Sequence, residues 1–165
     1  MNIEANTSAI VGDGTGERSD ELLQDILQAL RQVVPLPLSV TDPRSEKDEW
    51  QDEWGVLIGV TGDMYGRVVI LGEGDVFGRL GESMFGMLLE GDMLHSFVGE
   101  LANMVTGQAA TLVSGRGYRI DITPPTVITG KMHIYGLRNV VRMSVAFERA
   151  GELQFIISRD TEGKV

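Results

Sequence analysis

The β-strand pattern of this chain is clearest in residues 141–158, VRMSVAFERAGELQFIIS. From Val141 to Phe147, apolar residues alternate with polar or small ones, which is the period of a strand with one buried face. A turn at Gly151 leads into a second alternating run over residues 153–157. The segment therefore predicts an antiparallel hairpin that faces a hydrophobic core.

A second hairpin is predicted upstream of this one. Residues 54–61 and 66–71 are rich in β-branched and apolar side chains, and Gly62-Asp63 joins them. Shorter strands are predicted at residues 36–40, 118–122 and 127–129. Because hairpins connect the strands and helical segments separate the groups, the order predicts an α+β fold with an antiparallel sheet packed against helices.

Helical periodicity marks three segments. The first begins after Ser19, its predicted N-cap, because apolar residues recur from there at helical spacing. The second is predicted over residues 75–89, with Leu88 on its apolar side. The third is predicted from Asp92, which we expect to cap it, to Ser114, before a glycine-rich stop.

Length and composition limit the domain organisation and the function classes. Residues 1–18 are polar and glycine-rich, so we expect a flexible tail before a single domain over residues 19–165. No apolar run approaches the ~20 residues of a membrane span, and with no leader pattern we expect a cytoplasmic protein. The net charge of -10 disfavours nucleic acid and anionic membranes as partners. It fits a partner with a basic rim, but the charge alone is better explained by solubility.

The sequence offers little for a metal or cofactor site. It has no cysteine, and its two histidines, His95 and His133, lie far apart, so we expect no zinc site and no cofactor bound by this chain. Neither a serine-hydrolase elbow nor a phosphate-binding loop is present. We interpret His95 as an incidental surface residue, and Trp50 and Trp54 as residues that close the edge of the sheet.

The third helix carries the candidate site. In an α-helix, Ser96, Glu100, Asn103 and Gly107 lie within about 60° of one another, away from the apolar stripe. Residues on that side are small, and glycines such as Gly99 cost about 1 kcal/mol relative to alanine inside a helix. A partner that docks closely would explain them, and so would tight packing within the chain. On the pattern alone, packing within the chain beside a solvated ridge is slightly favoured over a docking surface.

The same residues resemble a known signature. Ser96-x-x-x-Glu100-x-x-Asn103 is similar to the signature helix of the CheC/CheX/FliY phosphatases, which have Asp or Ser, then Glu, then Asn at this spacing. Residues 124–130 resemble the family's Pro-Thr-Val-x-x-Gly segment, and residues 57–66 resemble a CheX-type hairpin. The resemblance covers residues 54–155, with one Glu-x-x-Asn motif, as in CheX.

The resemblance implies a phosphatase that acts on a phosphorylated CheY-like response regulator, with Mg²⁺ held by that partner. Because a carboxamide is neutral and can accept a hydrogen bond from water, our hypothesis is that Asn103 orients the attacking water. The resemblance implies that Glu100 meets the lysine of the regulator's active site. Ser96, where the family often has Asp, is then a peripheral contact. On the docking interpretation, Gly99 and Gly107 also contact the partner.

The resemblance further implies a homodimer, for which a predicted edge strand near residues 131–141 is the candidate contact. Two other interpretations stay open. The chain could be a non-catalytic module that binds a response regulator or a chemotaxis or flagellar component. It could also be a structural dimer in which the polar ridge is permanently covered.

Overall fold

Most predicted helices and strands form, and a few begin or end elsewhere. The computed structural model describes the backbone of residues 15–41 and 53–160 and, within these ranges, the side chains from residue 18 onward. The helices are α1 (Thr15–Val33), α2 (Gly74–Phe85) and α3 (Gly91–Gly115). The strands are β1 (Leu38–Thr41), β2 (Glu53–Gly62), β3 (Gly66–Glu73), β4 (Ile120–Ile122), β5 (Thr126–Thr129), β6 (Val141–Phe147) and β7 (Gly151–Arg159). The predicted α+β class is confirmed.

The strands of the described chain form one antiparallel sheet in the order β1-β6-β7-β3-β2, with β4 and β5 both pairing with the outer side of β2. Both predicted hairpins, β2–β3 and β6–β7, are present. β3 also pairs with β7 from Gly66 to Gly72, so that Val68 lies opposite Ile157. This long-range pairing joins the two hairpins into the centre of the sheet.

The helices cover one face of this sheet. Alternate residues of β7, Leu153, Phe155 and Ile157, are buried on that face, as their period predicts. Side chains from the helices and the sheet meet in the core around one small internal cavity, which is lined by Leu30, Ile70, Phe77, Val98, Leu101, Ala102, Val105, Leu153 and Phe155. The hydrophobic core therefore lies between the sheet and α1, α2 and α3.

The opposite face of the sheet is also largely buried, which the sequence did not predict. Gln154 and Ile156 of β7 are both 3% exposed there. Residues 130–140 cross this face: a Cβ atom on Gly55 would lie 2.9 Å from the Sδ atom of Met132, and the backbone N–H of Arg138 donates to Ser158 Oγ at 3.0 Å. Two layers therefore enclose the centre of the sheet.

The predicted edge strand near residues 131–141 is wrong. The segment has no strand structure before Val141. Gly130, Gly136 and Asn139 have φ angles of 106°, 88° and 48°, which a regular strand does not allow. These positive φ angles turn the chain across the sheet instead of along its edge.

The start of α1 also differs from the prediction. The helix begins at Thr15, and Ser19 lies inside it, buried one turn before Leu22 and Leu23 on the same inner face. A small side chain is accommodated there, so Ser19 is a packing residue and not an N-cap. Residues 1–14 lie outside the described residues, as do the predicted charged connection over residues 42–52 and Trp50, so those interpretations stay predictions.

Glycines set the boundary between α2 and α3. The second helix ends at Phe85 because Gly86 adopts a left-handed conformation, with φ of 75°, and donates its N–H to the carbonyl of Glu82. The predicted continuation to residue 89 is wrong, and Leu88 is exposed. Asp92 lies in the first turn of α3, where its charge suits the helix dipole, but it is not the capping residue.

An ion pair fixes the far end of α3 to α1. Arg116 forms a two-pronged hydrogen-bonded pair with the buried carboxylate of Asp25, including a 3.0 Å contact from Nη1 to Oδ1. The hydrogen bond that Arg116 donates to Asp25 raises the pKa of Arg116. This contact holds the orientation of α3, on whose outer face the candidate site lies.

No helix within residues 15–41 and 53–160 is both long and apolar enough to cross a membrane.

Candidate functional site

The outer face of α3 presents the polar ridge. Ser96 and Glu100 are exposed, and Asn103 and Gly107 are half-buried. The opposite side of the helix is buried in the core through Leu94, Val98, Leu101, Val105 and Ala109. No hydrogen bond or ion pair to another described residue occupies the carboxylate of Glu100 or the carboxamide of Asn103. Both groups are therefore available to a partner.

One side of the ridge is bordered by the β4–β5 segment. The prolines Pro124 and Pro125 have no N–H to donate, so the strand is interrupted there, opposite Ile58 of β2. Thr123 bridges the gap: its N–H donates to the Gly59 carbonyl at 2.9 Å, and its Oγ1 accepts from the Gly59 N–H at 2.8 Å. The interruption is therefore anchored to the central sheet.

The glycines of α3 allow this segment to approach closely. A Cβ atom on Gly99 would lie 3.4 Å from Val127 Cγ2 and 3.7 Å from Pro125 Cγ, and one on Gly107 would lie 3.9 Å from Ile122 Cδ1. The segment from Ile122 to Val127 thus runs along α3 in the opposite direction to the helix. Sequence reasoning had noted the prolines but could not place them beside the ridge.

The proposed partner contact at Gly99 does not fit the structure. Gly99 is buried against its own chain, together with Ala102 and Thr106 on the same side of the helix. Packing within the chain accounts for these small residues, so Gly99 is better assigned to the helix–sheet interface. Gly107 is half-buried, and its contact with a partner stays a prediction.

His95 has a structural contact that the sequence did not suggest. Its ring stacks on the buried indole of Trp54, with 4.6 Å between centroids and 30° between planes. Because the exposed His95 ring lies over the buried Trp54, it covers one side of the core at the first turns of α3. His95 is therefore not an incidental surface residue. Within the described ranges, no three His, Asp or Glu side chains are placed to hold a metal ion together.

The buried hydroxyl of Thr106 leads to a prediction on stability. Thr106 is 0% exposed, and its Oγ1 has no hydrogen-bond partner among the described residues. Because such a group costs free energy in the core, Thr106→Val should raise the free energy of unfolding by about 1 kcal/mol. Urea unfolding followed by circular dichroism measures this.

Thr111→Val is the matched control. The Thr111 hydroxyl is exposed and donates to the carbonyl of Gly107 at 3.2 Å, so its removal should bring no gain in stability. A Thr106→Val variant that is less stable than the parent protein would contradict the prediction.

The comparison with protein families identifies the domain. A family model described as chemotaxis phosphatase CheX matches residues 54–148, which is more than half of the chain. The chain belongs to the CheX family. The matched residues of this CheX domain include both the ridge on α3 and the β4–β5 segment that borders it.

Solved structures with this fold agree with the assignment. The CheX-family chain is similar to the chemotaxis protein CheX from Vibrio vulnificus, with 25% identity and a TM-score of 0.71 over 87% of this chain and 99% of that one. A CheC-like superfamily protein from Shewanella sp. PV-4 is 28% identical, with a TM-score of 0.68 over 86% and 96% of the two chains.

A CheX–CheY–BeF₃–Mg²⁺ complex from Borrelia burgdorferi also shares the fold. Its matching chain is 17% identical, with a TM-score of 0.66 over 85% of this chain and 96% of that one. A comparison with curated protein sequences found no match.

Proposed function

We propose that this CheX-family protein is a phosphatase that acts on a phosphorylated CheY-like response regulator. The observation that carries the proposal is the pair of unoccupied polar side chains, Glu100 and Asn103, one turn apart on the outer face of α3. The Borrelia relative, which was solved in complex with CheY, supports the choice of partner through its fold.

The reaction requires positioning more than covalent chemistry. A response regulator carries its phosphoryl group on an aspartate and holds its own Mg²⁺. Hydrolysis passes through a loose transition state in which water attacks in line with the leaving carboxylate. Fixing that water in place removes an entropic cost that can amount to several kcal/mol. This chain supplies the positioning group and needs no cofactor of its own.

Asn103 is suited to hold the water. Its carboxamide oxygen can accept a hydrogen bond from water while its NH₂ group donates elsewhere, and the group stays neutral beside the phosphoryl oxygens. Asn103 follows Gly99 by one helical turn, on the side of α3 that the β4–β5 segment borders. Its half-buried position there restricts the side chain, which lowers the entropic cost of ordering it.

Glu100 is suited to fix the register of docking. Its exposed carboxylate can form an ion pair with the lysine of the regulator's active site, one turn of α3 away from the water-positioning amide. Ser96 lies one turn further toward the helix N-terminus and is equally exposed, so it can add a polar contact at the periphery. The three residues would then insert along a single line.

The test is the decay of regulator phosphate with and without catalytic amounts of this protein. Acceleration of the decay supports the phosphatase. Binding without acceleration would instead support the non-catalytic module, which the serine at position 96, where the family often has Asp, keeps as the second candidate. A phosphatase of this class would act in the cytoplasm, where response regulators are found.

We also propose that the protein is a homodimer. The crossing segment and the strand before it expose large apolar side chains, with Ile128 40%, Ile134 39% and Tyr135 86% exposed. Pairing of two copies over this surface would remove these side chains from water. Light scattering on the purified protein should give twice the monomer mass, and Tyr135→Ser should shift that mass toward the monomer. A monomeric parent protein would contradict the proposal.

A further inference from the structure

The connection between α2 and α3 exposes large apolar side chains. Within nine residues, four of them are more than half exposed: Phe85 63%, Met87 52%, Leu88 51% and Met93 55%. We call these four side chains the α2–α3 patch. Single exposed apolar residues are common on protein surfaces, but a cluster of this kind marks an interaction site.

The fold holds the patch in place. Leu89, in the middle of the connection, is buried and packs on α2, where a Cβ atom on Gly81 would lie 2.6 Å from its Cδ1. Phe85 contacts the buried ring of Phe97 edge-on, with 5.9 Å between centroids. The connection is thus anchored at both points, and its remaining apolar side chains face outward. Sequence reasoning had assigned Leu88 to the core, because a helix was predicted to continue past Gly86.

The patch is continuous with the ridge on α3. Met93 precedes Glu100 by seven residues, which is about two helical turns on the same face. Ser96 lies between them and is exposed as well. A partner that reaches Glu100 and Asn103 and extends toward the N-terminus of α3 must therefore contact the patch.

The charged residues in the segment that carries the patch are all acidic. Residues 80–115 contain no lysine or arginine. Their acidic residues are Glu82, Glu90, Asp92 and Glu100, all of them exposed. A complementary partner surface therefore has an apolar centre with lysine or arginine at its rim. The methionines add adaptability, because their unbranched side chains can follow the contours of such a surface.

We propose that the α2–α3 patch is the docking contact for the response regulator and takes an apolar surface of the regulator with a basic rim, adjacent to its phosphorylation site. This inference rests on the proposed function. It assigns different roles to the patch and to Asn103. The patch binds the regulator equally in the ground state and in the transition state, whereas Asn103 acts on the reacting water. The patch therefore governs KM, and Asn103 governs kcat.

The test is the double variant Met87→Gln/Met93→Gln. Both side chains are more than half exposed, and glutamine keeps their length and helix propensity, so the fold should be unaffected. The probe is the CheY-type response regulator of the source organism, loaded with Mg²⁺ and beryllofluoride. We expect the Kd to rise about tenfold. KM for the phosphorylated regulator should rise in parallel, with kcat unchanged.

Tyr65→Gln is the matched control, because Tyr65 is a 42% exposed aromatic residue in the β2–β3 turn, at the end of β2 away from Trp54 and His95. It should leave both Kd and KM as they are. An unchanged Kd and KM in the methionine variant would overturn the inference. So would a methionine variant that loses dimer mass in light scattering while its Kd for the regulator stays the same.

The basic rim has its own test. Glu82→Lys reverses a charge in the last turn of α2, where a cation suits the helix dipole, so the fold should tolerate it. Association with the regulator should slow at low ionic strength, and the difference should shrink as salt is added. An association rate equal to that of the parent protein at low salt would overturn the basic-rim part of the inference.

The outcomes separate this inference from the proposed function. If the parent protein binds the regulator through the patch but does not accelerate phosphate loss, the phosphatase proposal fails and the docking inference stands. If the parent protein is an active phosphatase and the methionine variant has unchanged KM and Kd, the docking inference fails and the phosphatase proposal stands.

Discussion

Replacing Asn103 with alanine should lower the rate of regulator dephosphorylation by about a hundredfold or more, because the attacking water loses the group that orients it. Binding of the beryllofluoride-loaded regulator should stay close to that of the parent protein, since Asn103 is half-buried and the exposed contacts around it are kept. The measurement is single-turnover decay of regulator phosphate, paired with a binding isotherm for each variant.

A charge-changing variant sharpens this test. Asn103→Asp keeps the size of the side chain but places a carboxylate near the phosphoryl oxygens, which it repels. It should be as inactive as the alanine variant and should also bind the loaded regulator more weakly. That combination separates the electrostatic role of the amide from its shape.

Gln108→Ala is the control for removing a carboxamide from α3. Gln108 lies on the same helix, half-buried and off the ridge, and its Oε1 has no partner among the residues described. Its loss should leave the rate of dephosphorylation unchanged. If Asn103→Ala turned over as fast as Gln108→Ala, the water-positioning role would be refuted.

Gly66→Ala should destabilise the fold more than any other substitution discussed for this protein. A Cβ atom on Gly66 would lie 2.0 Å from the backbone carbonyl oxygen of Ser158, where β3 pairs with β7. The obstacle is the backbone of a neighbouring strand and cannot rotate away. We expect a loss of about 3 kcal/mol in the free energy of unfolding, measured by urea titration.

Gly115→Ala is the matched glycine substitution. Gly115 is the last residue of α3, and a Cβ atom there would have no neighbour within 4 Å. Because alanine favours the helix, this variant should gain up to about 1 kcal/mol. Equal stabilities for the two variants would show that β3 and β7 do not approach each other as closely as the structure describes.

Local periodicity was enough to predict most of the helices and strands from the sequence. The alternation in residues 141–158 and the β-branched runs of the other hairpin indicated an antiparallel sheet, which β6–β7 and β2–β3 form. The shared face of Ser96, Glu100 and Asn103 also follows from sequence, because helix geometry alone places these spacings together. These features depend on neighbours within a few residues, so a single sequence specifies them.

Only the tertiary structure decided which surfaces are covered. Gly99 and its small neighbours had two interpretations until the β4–β5 segment, more than twenty residues away in sequence, was found packed against them. Leu88 was predicted on the apolar side of a helix but is exposed, and Gln154, on the face of β7 away from the helices, is buried. Burial depends on contacts between residues far apart in the chain. Local spacing carries no information about which distant segment packs against a given residue.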